Sequence, residues 1–193
     1  MDLIQKILNE QNDIDGIKAL IENGADVHAE NDYALCWASG NGHLRIVELL
    51  LENGADVHAF NDSALRYASR YGYLQIVELL IENGADVHAV DDYALRLASY
   101  SGHVQIVELL LKNCANVHAR DGYALRHAVH YGHLQVVELL KRYSNMEDVT
   151  IKVDKDIKDR IKEVGVISLN KILRQALMVD AVEIEEKVRY IDM

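Results

Sequence analysis

The sequence predicts a mostly α-helical chain in which short helix pairs stack as a solenoid, followed by a small C-terminal strand-helix-helix module. Three observations carry this expectation. The segment Asn-Gly-Ala-Asp-Val-His-Ala stands at 23–29, 53–59 and 83–89 and returns, altered, at 113–119, thirty residues apart each time. A fixed period of roughly 20–50 residues marks units that bury their apolar faces only against their neighbours. Proline is absent, so glycine must punctuate the helices, and ten of the eleven glycines precede residue 146. All nine histidines and all but one of the twelve aromatics also lie there. The chain therefore divides into an N-terminal capping repeat (1–29), an array of thirty-residue repeats (30–145) and a second module (146–193).

In the first segment a polar helix carrying Leu3, Ile4, Ile7 and Leu8 precedes a second with the stripe Ile14, Ile17, Leu20 and Ile21. Each following unit is expected to build its own helix pair. Asp32 or a neighbour caps a helix from Tyr33 to Ser39, with Leu35 and Ala38 on one face and small alanines that admit a close partner. Asn41-Gly42 breaks the chain, and a second helix from Leu44 to Glu52 presents Ile46, Val47, Leu50 and Leu51 as a buried stripe. Gly54 takes the left-handed conformation that ends it. Cys114 occupies that position in the last full unit, at a cost of about 1–2 kcal/mol for an L-residue there. Leu140 to Asn145 loses both the apolar pattern and the glycine, which marks the end of the array.

Tyr93-Ala94-Leu95-Arg96-Leu97-Ala98-Ser99, Gly102-His103, the run Ile106 to Leu111 and Gly84-Ala85-Asp86-Val87-His88-Ala89 together resemble ankyrin repeats, and the resemblance covers residues 1 to about 145. Here alanine replaces the motif proline, and Cys36, Arg66, Arg96 and Arg126 replace the motif histidine. The unit is also three residues shorter than the usual 33 or so. The missing residues fall between Ala29 and Leu35, where that family carries a projecting finger, so blunt fingers are expected. The short, proline-free style is similar to the ankyrin arrays of giant DNA viruses of amoebae.

Catalysis and cofactor binding have no support in the motifs: no phosphate loop, paired-carboxylate site or nucleophile motif stands out. His28, His58, His88 and His118 recur once per unit, but packed layers sit about 8–10 Å apart. Two imidazoles sharing a zinc each reach it at about 2.0–2.1 Å. These histidines, with His43, His103 and His133, are expected to make structural hydrogen bonds, and Tyr73 in the fourth equivalent place shows that no ligand is required. Arg66, Arg96 and Arg126 are expected to pair with the Glu48, Glu78, Glu108 and Glu138 column as an ion-pair ladder.

Positions that differ from unit to unit are the candidates for recognition. They are Glu30, Phe60, Val90 and Arg120; Gly40, Arg70, Tyr100 and His130; and Asn41, Tyr71, Ser101 and Tyr131. In ankyrin proteins the finger and the end of the first helix line a concave partner-binding surface. The resemblance thus nominates Phe60, Arg70, Tyr71, Val90, Tyr100, Ser101, Arg120, His130 and Tyr131 as partner contacts, with the tyrosines as low-entropy anchors. Neutral surface drift is the alternative for the same positions. Trp37, Tyr67, Leu97 and His127 read as half-buried packing.

After residue 146 the period vanishes. Val149-Thr150-Ile151-Lys152-Val153 alternates like a half-buried strand, Asp154 to Val164 reads as a helix ended by Gly165, and Asn170 opens a second helix. This segment resembles the ribbon-helix-helix domain of small repressors and antitoxins. The resemblance implies a homodimer through 146–193, with avidity for a protein partner. It also implies DNA contact by Thr150, Lys152, Asn170 and Lys171. Nine basic against eleven acidic residues there favour dimerisation and DNA binding about equally, and a simple cap on the solenoid is a third reading.

Composition sets the outer bounds. With 50% apolar and 26% charged residues the chain is globular, and its net charge of −11 opposes nonspecific phosphate binding by the whole surface. The longest apolar runs are far below the roughly 18 residues that cross a bilayer. Met1 to Lys6 lacks the marks of a secretory signal, and Cys36 and Cys114 do not make a disulfide framework, so an intracellular setting is expected. The sum is an interaction scaffold that binds another protein through its concave face, with a DNA-binding transcriptional or antitoxin-like regulator as the rival reading.

Overall fold

The computed structural model describes residues 2–9 and 13–152, and among these the chain runs through ten helices. α1 (Leu3–Asn9) and α2 (Ile14–Glu22) form the first pair. The Asp13 carboxylate caps α2 by accepting the N–H of Gly16 at 3.0 Å. Four further pairs follow: α3 (Ala29–Gly40) with α4 (Leu44–Glu52), α5 (Ala59–Tyr71) with α6 (Leu74–Glu82), α7 (Ala89–Ser101) with α8 (Val104–Lys112), and α9 (Ala119–His130) with α10 (Leu134–Lys152).

The pairs stack in two rows. α3, α5, α7 and α9 make an inner row whose facing residues are the buried alanines Ala34, Ala38, Ala64, Ala68, Ala94 and Ala98. Small side chains let these helices pack far more closely than the outer row of α4, α6, α8 and α10, where Ile, Val and Leu hold neighbours apart. A stack tighter along one row bends towards it, which leaves a trough over the inner helices. Between the rows Leu35, Leu65 and Leu95 meet Leu50, Leu80 and Leu110 in a continuous core, each with no exposed surface.

The chain enters each inner helix through a left-handed turn. Glu30, Asn31 and Asp32 have φ of 53°, 58° and 58°, and residues 60–62, 90–92 and 120–122 repeat the conformation. This single turn is what the blunt finger looks like. It also corrects the assignment of Asp32 as a helix cap, because a cap needs an extended backbone rather than a left-handed one. The Asp32 carboxylate is 3% exposed and reaches forward instead, accepting the Asp56 N–H of the next crossing loop at 2.8 Å. Asp62 and Asp92 do the same with the N–H groups of Asp86 and Asn116, both at 2.8 Å. The recurrent histidines are hydrogen-bonded as expected: Nδ1 of His28, His58 and His88 lies 3.0, 3.1 and 2.9 Å from the carboxylate four residues on.

The Gly-His pairs join neighbouring units. The ring of His103 lies so close to Gly72 that a Cβ there would meet it at 2.7 Å, and its Nε2 bonds the Arg70 carbonyl at 3.0 Å. His133 treats Gly102 and the Tyr100 carbonyl in the same way, its Nε2 at 2.9 Å from that oxygen. Cys114 adopts φ of 71°, the left-handed value that its glycine counterparts hold.

The expected C-terminal strand is not observed where the structure reaches it. Residues 149–152 continue α10, and the helix crosses the boundary placed at 146 without a break. Val149 and Val153 stand four apart as well as alternating with Thr150 and Lys152, and a run of five residues does not distinguish the two periods. The remainder of the strand-helix-helix reading, with Asn170 and Lys171, lies outside the described residues.

Replacing Asp62 by Ala removes the charge-assisted bond between its buried carboxylate and the Asp86 N–H, so urea unfolding is expected to show a loss of about 1.5–3 kcal/mol. Asp121→Ala, on an exposed side chain, is expected to cost under about 0.5 kcal/mol in the same titration. Cys114→Gly relieves the left-handed strain and is expected to raise stability by about 1 kcal/mol. An unchanged midpoint would mean that the surrounding bonds, not the residue type, set that turn.

Candidate functional site

The trough over the inner row is built by the ends of its helices. Of the nominated contacts, Phe60, Val90 and Arg120 open the left-handed turns, and Arg70, Tyr71, Tyr100, Ser101, His130 and Tyr131 close the inner helices. All are exposed except Ser101, which is half-buried. Phe60, Tyr71 and Tyr131 keep 48%, 51% and 47% of their surface.

These positions form connected groups. Tyr100 and Tyr131 meet edge to face with centroids 4.6 Å apart, and His130 meets Tyr131 at 4.7 Å. The hydrogen-bonding Tyr100 hydroxyl holds the Tyr131 phenol above its usual pKa. Tyr123 stacks on His127 at 3.9 Å, so the aromatic group spans the last two inner helices. Further along, the Arg70 guanidinium lies 5.6 Å from the Tyr71 ring.

A second feature was not nominated from sequence. Tyr33, Cys36, Trp37, Gly40, Asn41, Tyr67, Tyr71 and Tyr73 line a groove of about 530 Å³ between the first two inner helices. Tyr67, read as packing, is 44% exposed. Trp37 is half-buried as expected and stacks on His43 with centroids 5.2 Å apart. Burial holds the His43 imidazole below its ordinary pKa. The available signal was the column Tyr33, Ser63, Tyr93 and Tyr123, aromatic in three of the four units.

The arginine column departs from the expected ladder. Arg66 donates from Nε to the Asn61 carbonyl at 3.0 Å and from Nη2 to the Phe60 carbonyl at 2.7 Å. Arg96 repeats this on Asp91 and Val90 at 3.0 and 2.8 Å, and Arg126 on Asp121 and Arg120. Each clamps the left-handed turn of its own unit. The glutamates lie on the outer row, where Glu48 pairs with Arg45 at 2.9 Å and Glu108 with Lys112 at 2.8 Å. Two columns of equal period can still occupy opposite faces.

Thr150 and Lys152 fall on α10 and not on a ribbon. Among the described residues no three His, Cys, Asp or Glu side chains gather as a metal site. No described helix is long and apolar enough to cross a membrane. Cys36 is buried in the groove wall, and that burial pushes its thiol above the ordinary cysteine pKa despite a hydrogen bond with Ser63.

The family model for ankyrin repeats (3 copies) matches residues 3–91 and again 88–153, which spans the whole helical array and the end of α10.

Alkylation provides a check on the groove wall. At pH 8 Cys36 is expected to react with iodoacetamide well over tenfold more slowly than a free peptide thiol, with Cys114, half-buried, modified first by peptide mapping. Equal labelling of both would show that the groove opens to the depth of Cys36.

Proposed function

The chain belongs to the ankyrin-repeat family, and from that premise we propose that it is a non-enzymatic module that captures another protein in the trough over its inner helices. Ankyrin repeats generally mediate protein–protein interaction and are typically scaffolds. The reading rests on one observation above the others: of the nine nominated positions, which differ from unit to unit, all but Ser101 are exposed. Tyr71, Tyr100 and Tyr131 supply large contact areas on two rotatable bonds each, so ordering them on a partner loses little entropy. The edge-to-face contact of Tyr100 with Tyr131 fixes part of that surface in advance.

Pairing of two copies through 146–193, and DNA contact by that segment, were drawn from a ribbon. With residues 149–152 helical, that ribbon no longer supports either, and the trough is the whole of the proposal.

Replacing Tyr71, Tyr100 and Tyr131 together by Ala is expected to weaken partner capture by at least about a hundredfold while thermal unfolding shifts by only a few degrees. A large fall in melting temperature with capture intact would return these rings to the role of packing residues.

A further inference from the structure

The last unit leaves open the face that each earlier unit buries beneath its successor. Ser39, Ser69 and Ser99 are wholly buried near the ends of α3, α5 and α7, whereas Val129, in the same register on α9, is 58% exposed. Leu134 is 72% exposed, whereas its counterparts Leu44, Leu74 and Val104 are half-buried. Leu125 is half-buried, whereas Leu35, Leu65 and Leu95 have no exposed surface. Against Gly42, Gly72 and Gly102 sits a ring of the following unit, Tyr73, His103 and His133 in turn. Among the described residues nothing lies within 4 Å of the place a Cβ would take on Gly132. The residue types run against exposure to water. A solenoid that ends in solvent carries a polar outer face on its terminal unit, yet the column that is Ser where it is buried becomes Val where it is open. Gly122 also replaces the aspartate that would tie down a further crossing loop, so the face is not shaped for another unit of the same kind.

We propose that residues 170–191 of this chain are the cover of that face, lying as an amphipathic helix across Val129 and Leu134. Leu173, Leu177, Ile184, Val188 and Ile191 recur at intervals of three, four and seven, which places them on one helical stripe. The path of the chain favours this occupant. α10 belongs to the open unit and runs on to Lys152, whereas its counterpart α8 stops at Lys112, so the chain leaves the stack from this end. Residues 153–169 extend to about 55 Å at most, roughly twice the length of α10 at about 1.5 Å per residue. That is enough for the following residues to return to the start of α10. A tethered segment of this kind is present at an effective concentration of about millimolar. A second copy or another protein reaches the same occupancy only by binding more tightly.

Photocrosslinking in the full chain tests this. With p-benzoylphenylalanine in place of Leu134, and isotope-labelled and unlabelled chains mixed in equal amounts before irradiation, the expected product is a cross-linked monomer. Its adduct peptides are expected to fall within 170–191 and to carry one label only. A cross-linked dimer or adducts of mixed label assign the face to a second copy and overturn the proposal. Adducts confined to other parts of the chain, or none, overturn it as well. A second measurement is independent of the probe. Leu134→Asp is expected to lower the melting temperature of the full chain by about 3–6 °C, and Gln135→Asp, at an exposed neighbour, to leave it unchanged. An acid in the first turn of a helix is otherwise favoured, so an unchanged or raised melting temperature in Leu134→Asp shows an open face and overturns the cover.

Discussion

A carboxylate buried at the start of α3, α5 and α7 holds each of these units to the next. Asp32, Asp62 and Asp92 each accept a backbone N–H from the residue 24 positions ahead, while a histidine four positions behind supports the other side. Hydrophobic contact between the layers is strong but has no direction, and on its own it permits a unit to slide or rotate against its neighbour. A charge-assisted bond to one particular amide does not. Its burial raises the cost of misplacement, because a carboxylate out of water with its donors lost is penalised heavily. In the last unit Gly122 stands at the corresponding position. Twenty-four residues on from it α10 continues as helix among the described residues, so the forward bond has no counterpart there.

The same carboxylates help to hold three of the four left-handed turns. Three consecutive residues of this conformation cost about 1–2 kcal/mol each when they carry a Cβ. Val90, branched at Cβ with φ of 55°, is among the least favourable choices. Such a turn persists only where surrounding bonds over-determine it. Here the arginine clamp grips the first two carbonyls, the turn's own N–H closes on the preceding histidine carbonyl, and the aspartate side chain ties its third residue to the next unit. With the turn fixed in this way a projecting finger is unnecessary, and the unit closes in thirty residues.

Much of this architecture was legible in the sequence, and the misreadings have physical causes. The period, the helix pairs, the buried leucines and the glycine positions followed from apolar spacing and punctuation, and Cys114 sits in the left-handed state its register implied. Asp32 was misread because an aspartate before an apolar helix is the ordinary cap, and only the backbone angle shows that it faces forward. The arginine–glutamate ladder failed because a one-dimensional period does not tell which face of a unit a column occupies. Residues 149–152 show the same limit at short range, where alternation and helical spacing coincide. In the candidate site, the variable positions were found by their variation. Tyr33 and Tyr67 were missed because one belongs to a column that is tyrosine in three of its four units and the other stands where neighbouring units carry Trp37 and Leu97.

The location of the variation follows from the bonding. At the first residue of each left-handed turn, the atoms that hold the fold are main-chain atoms: the carbonyls of Phe60, Val90 and Arg120 take the arginine clamps. The side chain at that position contributes nothing to those bonds, and Glu, Phe, Val and Arg all occupy it on the same backbone. The ends of the inner helices behave alike, since the carbonyls of Arg70 and Tyr100 receive the next unit's histidine while their side chains face outward. Folding is thus written into the backbone of the trough and into the layers beneath it. Its side chains are left to vary in charge and shape without loosening the stack, which is the condition a recognition surface requires.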